Sequence, residues 1–305
     1  MTSEKVSDGA VFHPLGEEIT GSLIIQVLWI LRRSLDQSSE PTYDRLHRVV
    51  KLLSSILNAG SGLKKTAVLG DIHSNIEALD AVLADTEKNG VSRFFCTGDV
   101  VGYGAAPSAC IQRLQKLNAL TVRGNHDQYC AGNRIPEEVN ACARAATLWT
   151  GKQLTTAELI WLLNLPLKQQ EGGLGVVHST YEPGQSWPYI LDADHAEPSM
   201  RKQPAPLAFY GHTHRPMVFV ENSNGIIRKK KFNTSKIKKG CRYFINPGSV
   251  GQPRDGDPRA AYALYDPAKK TVTLRRVEYD IETAAERILR AGLPSRNAER
   301  LSIGK

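Results

Sequence analysis

The chain has 305 residues, enough for one large domain or two small ones. Hydrophobic residues make up 41%, aromatics 7% and charged residues 23%, a globular composition that excludes a disordered chain, a collagen-like chain and a disulfide miniprotein. The formal charge of +8 is local: seven of the 39 basic residues lie between Arg228 and Lys239, and without them 32 basic residues face 31 acidic ones, so the charge argues only weakly for a nucleic-acid-binding protein.

Residues 1 to about 16 show no periodicity. Residues 19–34 and 41–59 read as two helices joined by the polar stretch 36–40. The second has Pro41 near its first turn and Leu46, Val49, Val50, Leu53, Ile56 and Leu57 at helical spacing, and Gly60 and Gly62 stop it. Residues 1–63 are therefore expected to form a helical hairpin appended to a main domain of residues 64–305. Extra scaffold is the expected role; a dimerisation surface, giving a homo-oligomer, or a lid is the alternative. The apolar run Leu23–Leu31 is broken by Gln26 and falls short of the ~18 residues a membrane span needs. It also lacks a basic leader and a small-residue cleavage site, so neither a membrane segment nor a signal peptide is expected. Five cysteines (Cys96, Cys110, Cys130, Cys142, Cys241) are odd in number and form no CxxC pair, which points to a reducing, cytoplasmic location.

The texture changes at Lys64. Strands at 66–69, 93–97 and 120–122 alternate with helices at 76–89 and 107–117, an order that calls for parallel pairing through right-handed crossovers. Residues 136–151 and 156–164 read as helices. From Leu174 the pattern turns to strands, at 174–178, 207–210, 217–221, 226–232, 242–245, 261–265 and 271–279, and a helix over 281–291 ends at Gly292 and Pro294. An α/β half followed by a β-rich half predicts two packed sheets with helices outside. The basic stretch 222–239 is expected as a long exposed β-hairpin or loop. It reads as a solvated face before a nucleic-acid clamp, because Phe232 is its one interleaved aromatic.

The chemistry-bearing residues collect where those strands end. Asp71 and His73 follow the first strand, Asp99 the second, Asn125, His126 and Asp127 the third, and His178, His212 and His214 two later ones. Open α/β sheets assemble their sites at such ends. Asp71 and His73, like His212 and His214, are two apart and would point the same way in extended chain. Imidazole and carboxylate together suit Mn²⁺, Fe²⁺, Zn²⁺, Co²⁺ or Ni²⁺, and the absence of thiols from the set makes a cysteine-type structural zinc site improbable. Asn75 precedes a helix and reads as its N-cap before a substrate contact. His13, His47 and His195 read as surface residues.

Asp71-Ile-His73, Gly98-Asp99, Gly124-Asn-His-Asp127, a lone His178 after a strand and Gly211-His-Thr-His214, in that order, resemble the calcineurin-like metallophosphoesterase superfamily, in particular its small bacterial and archaeal phosphodiesterase-like branch. The later run Ile245-Asn-Pro-Gly-Ser-Val-Gly-Gln-Pro-Arg-Asp-Gly-Asp-Pro-Arg259 is similar to a subgroup of small bacterial members, and within it Asn246-Pro-Gly-Ser249 reads as a turn supporting the site before a substrate contact. The resemblance implies an α/β (α+β) fold: a four-layer αββα sandwich of two mixed β-sheets flanked by helices, here with the added N-terminal hairpin. It implies two divalent transition-metal ions, manganese first, one held by Asp71, His73, Asp99 and His214 and the other by Asp99, Asn125, His178 and His212, with Asp99 bridging. It implies hydrolysis of phosphodiesters or phosphomonoesters, nucleotide-like ones among them, by a hydroxide between the metals, with His126 as general acid and Arg123 and Asn75 as candidate phosphate contacts. Ser/Thr protein phosphatase or bis-nucleotide polyphosphate hydrolase activity is the alternative within enzymes, and a non-catalytic interaction scaffold the alternative outside them. Against the first stands Gly98-Asp-Val-Val-Gly-Tyr-Gly104: Gly102 and Tyr103 occupy the places of that group's second carboxylate and its arginine.

Overall fold

The computed structural model describes residues 64–132, 134–184 and 187–305. The helical hairpin expected over 1–63 lies outside the described residues. Within them, strand β1 (Thr66–Leu69), β2 (Arg93–Cys96) and β3 (Leu120–Thr121) pair in parallel, with Leu69 opposite Cys96 and Cys96 opposite Thr121. Helices α1 (Ile76–Lys88) and α2 (Pro107–Lys116) connect them. Asn75 caps α1, its Oδ1 accepting the Ala78 N–H at 3.0 Å, and Pro107 opens α2 with its ring pre-set for the first turn.

After β3 come α3 (Asn125–Ala131), α4 (Ala141–Gln153), α5 (Thr156–Asn164), β4 (Lys168–Glu171) and β5 (Leu174–Val177). Then follow α6 (Ala193–Lys202), β6 (Leu207–Phe209), β7 (Met217–Glu221), β8 (Ile227–Lys231), β9 (Thr234–Lys236) and β10 (Arg242–Asn246). The chain closes with β11 (Ala260–Asp266), β12 (Thr271–Val277), α7 (Ile281–Arg290) and α8 (Ser295–Ile303).

Two six-stranded sheets result, one ordered β3-β2-β1-β11-β12-β9 and the other β4-β5-β6-β10-β7-β8. Both are mixed: β5, β6 and β10 run parallel in the second, and β11 and β12 return antiparallel in the first. Alternation along each strand decides the layers. Val68, Phe95, Ala263 and Val272 of one sheet meet Val176, Phe209, Val218 and Ile245 of the other in a dry interior. Ala67, Leu69 and Tyr262 turn outward onto Leu79 and Val82 of α1 and Ile111 and Leu114 of α2. The outer face of the second sheet presents Ala208, Tyr210 and Phe244 to Ala196 and Met200 of α6. Burying each large apolar side chain is worth about 1.5–3 kcal/mol, so these three interfaces hold the helix-sheet-sheet-helix stack together.

Several expectations need correction. The helix expected over 136–151 starts only at Ala141, because the Asn140 side chain accepts the Ala143 N–H at 3.0 Å and ends the preceding turn. The basic stretch is not one hairpin. β8 pairs with β7 around a turn at 222–226, and β9 crosses to pair with β12 of the other sheet. Phe232, between β8 and β9, is buried in the inter-sheet core and anchors that crossing.

Candidate metal centre

The site is assembled from loops that leave the ends of five parallel strands. Asp71 and His73 follow β1, Asp99 follows β2, Asn125 and His126 follow β3, His178 follows β5, and His212 and His214 follow β6. The loops are not extended as the spacing suggested. Asp71, His73, Asp99, His212 and His214 all have positive φ, between 41° and 66°. The side chains converge by left-handed turns, a conformation that costs a non-glycine residue and is kept where surroundings enforce it.

Backbone and carboxylate contacts do the enforcing. Ser249 Oγ donates to the Asp71 carbonyl at 2.7 Å and the Val250 N–H to the Gly70 carbonyl at 2.7 Å. Asn246 Nδ2 donates to the Gly211 carbonyl at 2.7 Å and reaches Thr213 Oγ1 at 3.0 Å. The run from Asn246 to Ser249 thus braces the Asp71 loop against the His212–His214 loop. Gly211 permits the close approach: a Cβ there would meet Thr97 Oγ1 at 2.5 Å and Asp71 Oδ2 at 2.7 Å. Asp127 is wholly buried and accepts N–H groups from Gly124 at 2.9 Å and Val101 at 3.1 Å, pinning the Asp99 loop to α3.

Ligand atoms of Asp71, His73, Asp99 and His214 lie within 4.8 Å of one another, as do those of Asp99, His178 and His212. The two sets share Asp99. Its Oδ1 accepts the His126 N–H at 2.8 Å, while Oδ2 stands 3.6 Å from His73 Nε2 and 3.4 Å from His178 Nε2. Asn125 joins the second set, its Oδ1 3.0 Å from His178 Nε2. His73 Nε2 faces His214 Nε2 at 3.1 Å, and His178 Nε2 faces His212 Nδ1 at 3.2 Å.

The outer ring nitrogens are fixed by main-chain carbonyls. The Nδ1 atoms of His73, His178 and His214 lie 3.0, 2.8 and 2.6 Å from the carbonyl oxygens of Val101, Thr97 and Gln252. Nδ1–H donation to those carbonyls leaves the Nε2 lone pairs pointing inward, the usual way a protein orients metal-binding imidazoles.

Burial dominates the electrostatics. It pushes the histidines down, His178 to about 3 and His73, His212 and His214 well below the ordinary value, so all are neutral. It pushes Asp71 up to about 8 and, with the charges of Asp127 and Asp71, Asp99 well above the carboxylate range. Asp71 Oδ2 is buried with no hydrogen-bond partner. Facing lone pairs, an orphaned carboxylate oxygen and carboxyls too buried to ionise alone fit a site built for cations, and the N/O donor set fits divalent transition metals.

His126 lies beside this group, its ring 4.9 Å from that of His73 and 4.5 Å from that of Tyr103. Burial, Arg254 and His212 lower it to about 3. Its Nδ1 is buried against Gly102 without a partner, and a Cβ on Gly102 would lie 2.7 Å from it. The other expected phosphate contacts are engaged elsewhere. Arg123 Nη1 donates to the Leu163 carbonyl at the end of α5, at 2.6 Å. Asn75 uses Oδ1 as the α1 cap and donates from Nδ2 to the Gly251 carbonyl at 2.9 Å, so neither of its ends is free for substrate. His195 is exposed and pairs with Asp192.

Sequence reasoning gave no role to three groups near the centre. Asp127 was visible as the fourth residue of Gly124-Asn-His-Asp127. Tyr189 stacks on His212, ring centroids 4.3 Å apart, and Arg254 lies over Tyr103 at 5.5 Å. Tyr189 carries no spacing signal, and Arg254, although it lies in the run 245–259 similar to small bacterial members, is given its place only by the fold.

A family profile described as the calcineurin-like phosphoesterase superfamily domain matches residues 65–270. An uncharacterized protein of Methanocaldococcus jannaschii is 40% identical over 243 residues, 78% of this chain and 98% of that protein. Among solved structures, a metallophosphoesterase from Sphaerobacter thermophilus matches with 38% identity and a TM-score of 0.71, over 79% of this chain and 99% of that one. A hypothetical protein from Pyrococcus horikoshii matches with 22% identity and a TM-score of 0.63, over 79% and 98%, a likeness of fold.

Proposed function

This chain belongs to the calcineurin-like phosphoesterase superfamily, and on that premise we propose that it hydrolyses phosphoesters, phosphodiesters first and monoesters second, with two divalent cations. The observation that carries this reading is the pair of buried ligand sets sharing Asp99. Asp71, His73, Asp99 and His214 would hold one ion, and Asp99, Asn125, His178 and His212 the other. Bound there, such ions neutralise phosphoryl oxygens and acidify water. Manganese is the ion we expect first, as one of those suited to mixed imidazole and carboxylate donors.

The chain's own groups supply the rest. Asp99 offers Oδ2 to both sets while its Oδ1 stays on the His126 N–H, so one carboxylate fixes the spacing of the centre and the place of the acid. His126 would deliver a proton to the leaving oxygen, the negative charge of a bound phosphoryl group holding on the imidazole the proton that burial and Arg254 otherwise remove. Its Nδ1 is walled off by Gly102, which leaves Nε2 as the transferring atom. No carboxylate can stand at residue 102 to grip that ring, which favours an open diester pocket over a protein-phosphatase one. The proposal keeps the cytoplasm as its compartment: all five cysteines are free thiols, and no helix among the described residues is long and apolar enough to cross a membrane.

The test is metal-stripped protein reconstituted singly with Mn²⁺, Zn²⁺, Fe²⁺ or Ni²⁺ and assayed on bis(p-nitrophenyl) phosphate and on the monoester, beside Asp99→Asn. Metal-dependent diester turnover that D99N lacks supports the reading. Monoester-only turnover moves it to a phosphatase. A metal-replete protein inert on both esters overturns it.

A further inference from the structure

We propose that Arg254 and Arg300, with Arg215 at the rim, form a second anion subsite beside the metal centre, built for a phosphoryl group that the substrate carries in addition to the one hydrolysed. The inference rests on the phosphoesterase reading and narrows its substrate class.

An open cavity of about 680 Å³ is lined by Arg215, Arg254, Asp255, Gly256, Arg300 and Lys305. None of its three guanidinium groups pairs with a carboxylate side chain among the described residues, although Arg300 holds the main-chain oxygen of the final residue, Lys305. Arg215 Nε donates to the Arg254 carbonyl at 3.0 Å, Arg254 Nη2 to Gln252 Oε1 at 2.8 Å, and Arg300 Nε to the main-chain oxygen of Lys305. Asp255, the lining carboxylate side chain, is bound to Arg276. Elsewhere Arg113, Arg259, Arg275 and Arg287 each hold a carboxylate, whereas Arg123 and Arg144 bind main-chain carbonyls. Burial and the Arg254 charge push Arg300 below the ordinary guanidinium value, as expected where like charges are held together.

The cavity is joined to the metal centre by one aromatic ring. Arg254 Cζ lies 5.5 Å and Arg300 Cζ 5.9 Å from the centroid of Tyr103, whose ring is 4.7 Å from that of His73 and 4.5 Å from that of His126. The backbone is shared as well. The Arg254 N–H donates to the carbonyl of His214 at 3.3 Å, and Arg215 follows that ligand directly. Guanidinium groups that no carboxylate side chain neutralises, next to a phosphoryl-handling centre, suit a further phosphoryl group, because their planar forks match its oxygens and its double charge offsets their repulsion. A neutral alcohol or nucleoside would leave that repulsion standing.

The test compares AMP with the hydrolysis-resistant α,β-methylene-ADP, titrated calorimetrically into the manganese-loaded full chain and into R254Q R300Q loaded to the same metal content. In the wild type the second phosphoryl group is expected to tighten binding at least about tenfold, the gain from one or two charge-assisted hydrogen bonds. In the double variant the step should shrink below about threefold. A wild type that binds both ligands equally, or a full step that survives in R254Q R300Q, overturns the subsite. If circular dichroism shows the double variant unfolded, R300Q alone replaces it and is expected to lose at least half of the step on a logarithmic scale. Turnover of bis(p-nitrophenyl) phosphate by the same wild-type preparation reports the underlying reading separately. Turnover without the step rejects only the subsite, and a step in a preparation inert on both this diester and the p-nitrophenyl monoester rejects only the hydrolase.

Discussion

Asp71, His73, Asp99, His212 and His214 are five of the seven ligand candidates, and each holds a backbone conformation that its side chain disfavours. At about 1–3 kcal/mol per residue, such strain persists only where neighbours over-determine it, and here Asn246, Ser249 and Asp127 supply the opposing hydrogen bonds. The fit of that strained cluster to cations makes His126 the informative residue, because it touches the cluster without belonging to it. His126→Gln is expected to lower kcat by about 10²–10⁴ on diesters with alkoxide leaving groups, where a proton must be supplied. On bis(p-nitrophenyl) phosphate the loss should stay under about tenfold, because p-nitrophenolate departs without help. Parallel kcat measurements on the two substrate types decide the role; equal losses on both would make His126 a phosphate contact and not an acid.

Of the elements that sequence patterning missed, the strands β4 and β9 lack an apolar period, whereas α6 and α8 carry only short ones, Ala196 with Met200 and Ala298 with Leu301. β4 reads Lys-Gln-Gln-Glu and β9 Thr-Ser-Lys; both are sheet-edge strands placed by main-chain pairing with β5 and β12. α3 begins on the ligand candidate Asn125, and α6 carries Pro198 within its span, so neither looks helical from composition. The basic stretch gains a plain structural reason at this scale. β8 is the edge of its sheet, and its exposed Arg228, Lys229, Lys230 and Lys231 deny that edge to another chain. One polar contact ties the helical layer to the sheet beneath it. Asp85 of α1 accepts from Tyr262 of β11 at 2.7 Å and from Arg275 of β12 at 2.9 and 3.1 Å. Burial pushes this carboxyl up, but the bonds from Arg275 and Tyr262 outweigh it and hold the pKa below 3.8. A carboxyl lowered in the folded state contributes stability above its unfolded pKa and loses it as pH falls through the folded one. Asp85→Asn should therefore cost about 1.5–3 kcal/mol at pH 7. The gap to the wild type should narrow as pH drops below about 4. Urea denaturation of both proteins at pH 7 and at about pH 3 checks this, and a gap that stays constant with pH would show the ion pair to contribute nothing.

Across the whole molecule the candidate centre is the place where the two sheets meet through chemistry. Asp71, His73, Asp99 and Asn125 come from loops of the first sheet and His178, His212 and His214 from loops of the second. Their legibility has a physical cause: parallel strands bring their C-terminal ends to one side, so ligand-type residues spaced by whole crossovers must gather there. The arginine cavity was not legible, because Arg215 and Arg254 sit in loops after β6 and β10 and Arg300 comes from α8. Cations bridging both sheets should make metal loading a stability event. Ligands that bind only the folded state stabilise it, by about 2.7 kcal/mol at a hundredfold excess over Kd. For a domain of this size that is a rise in Tm of roughly 5–10 °C. Scanning calorimetry of chelator-treated and Mn²⁺-reloaded protein should show that difference, reversibly. His178→Asn removes a ligand from one set and should keep part of the increment. Asp99→Asn weakens the oxygen that faces both sets and should lose most of it. The order of the two variants carries the argument: if D99N keeps as much of the metal-induced rise as H178N, the sets act as separate sites, and Asp99 does not join the sheets through a shared centre.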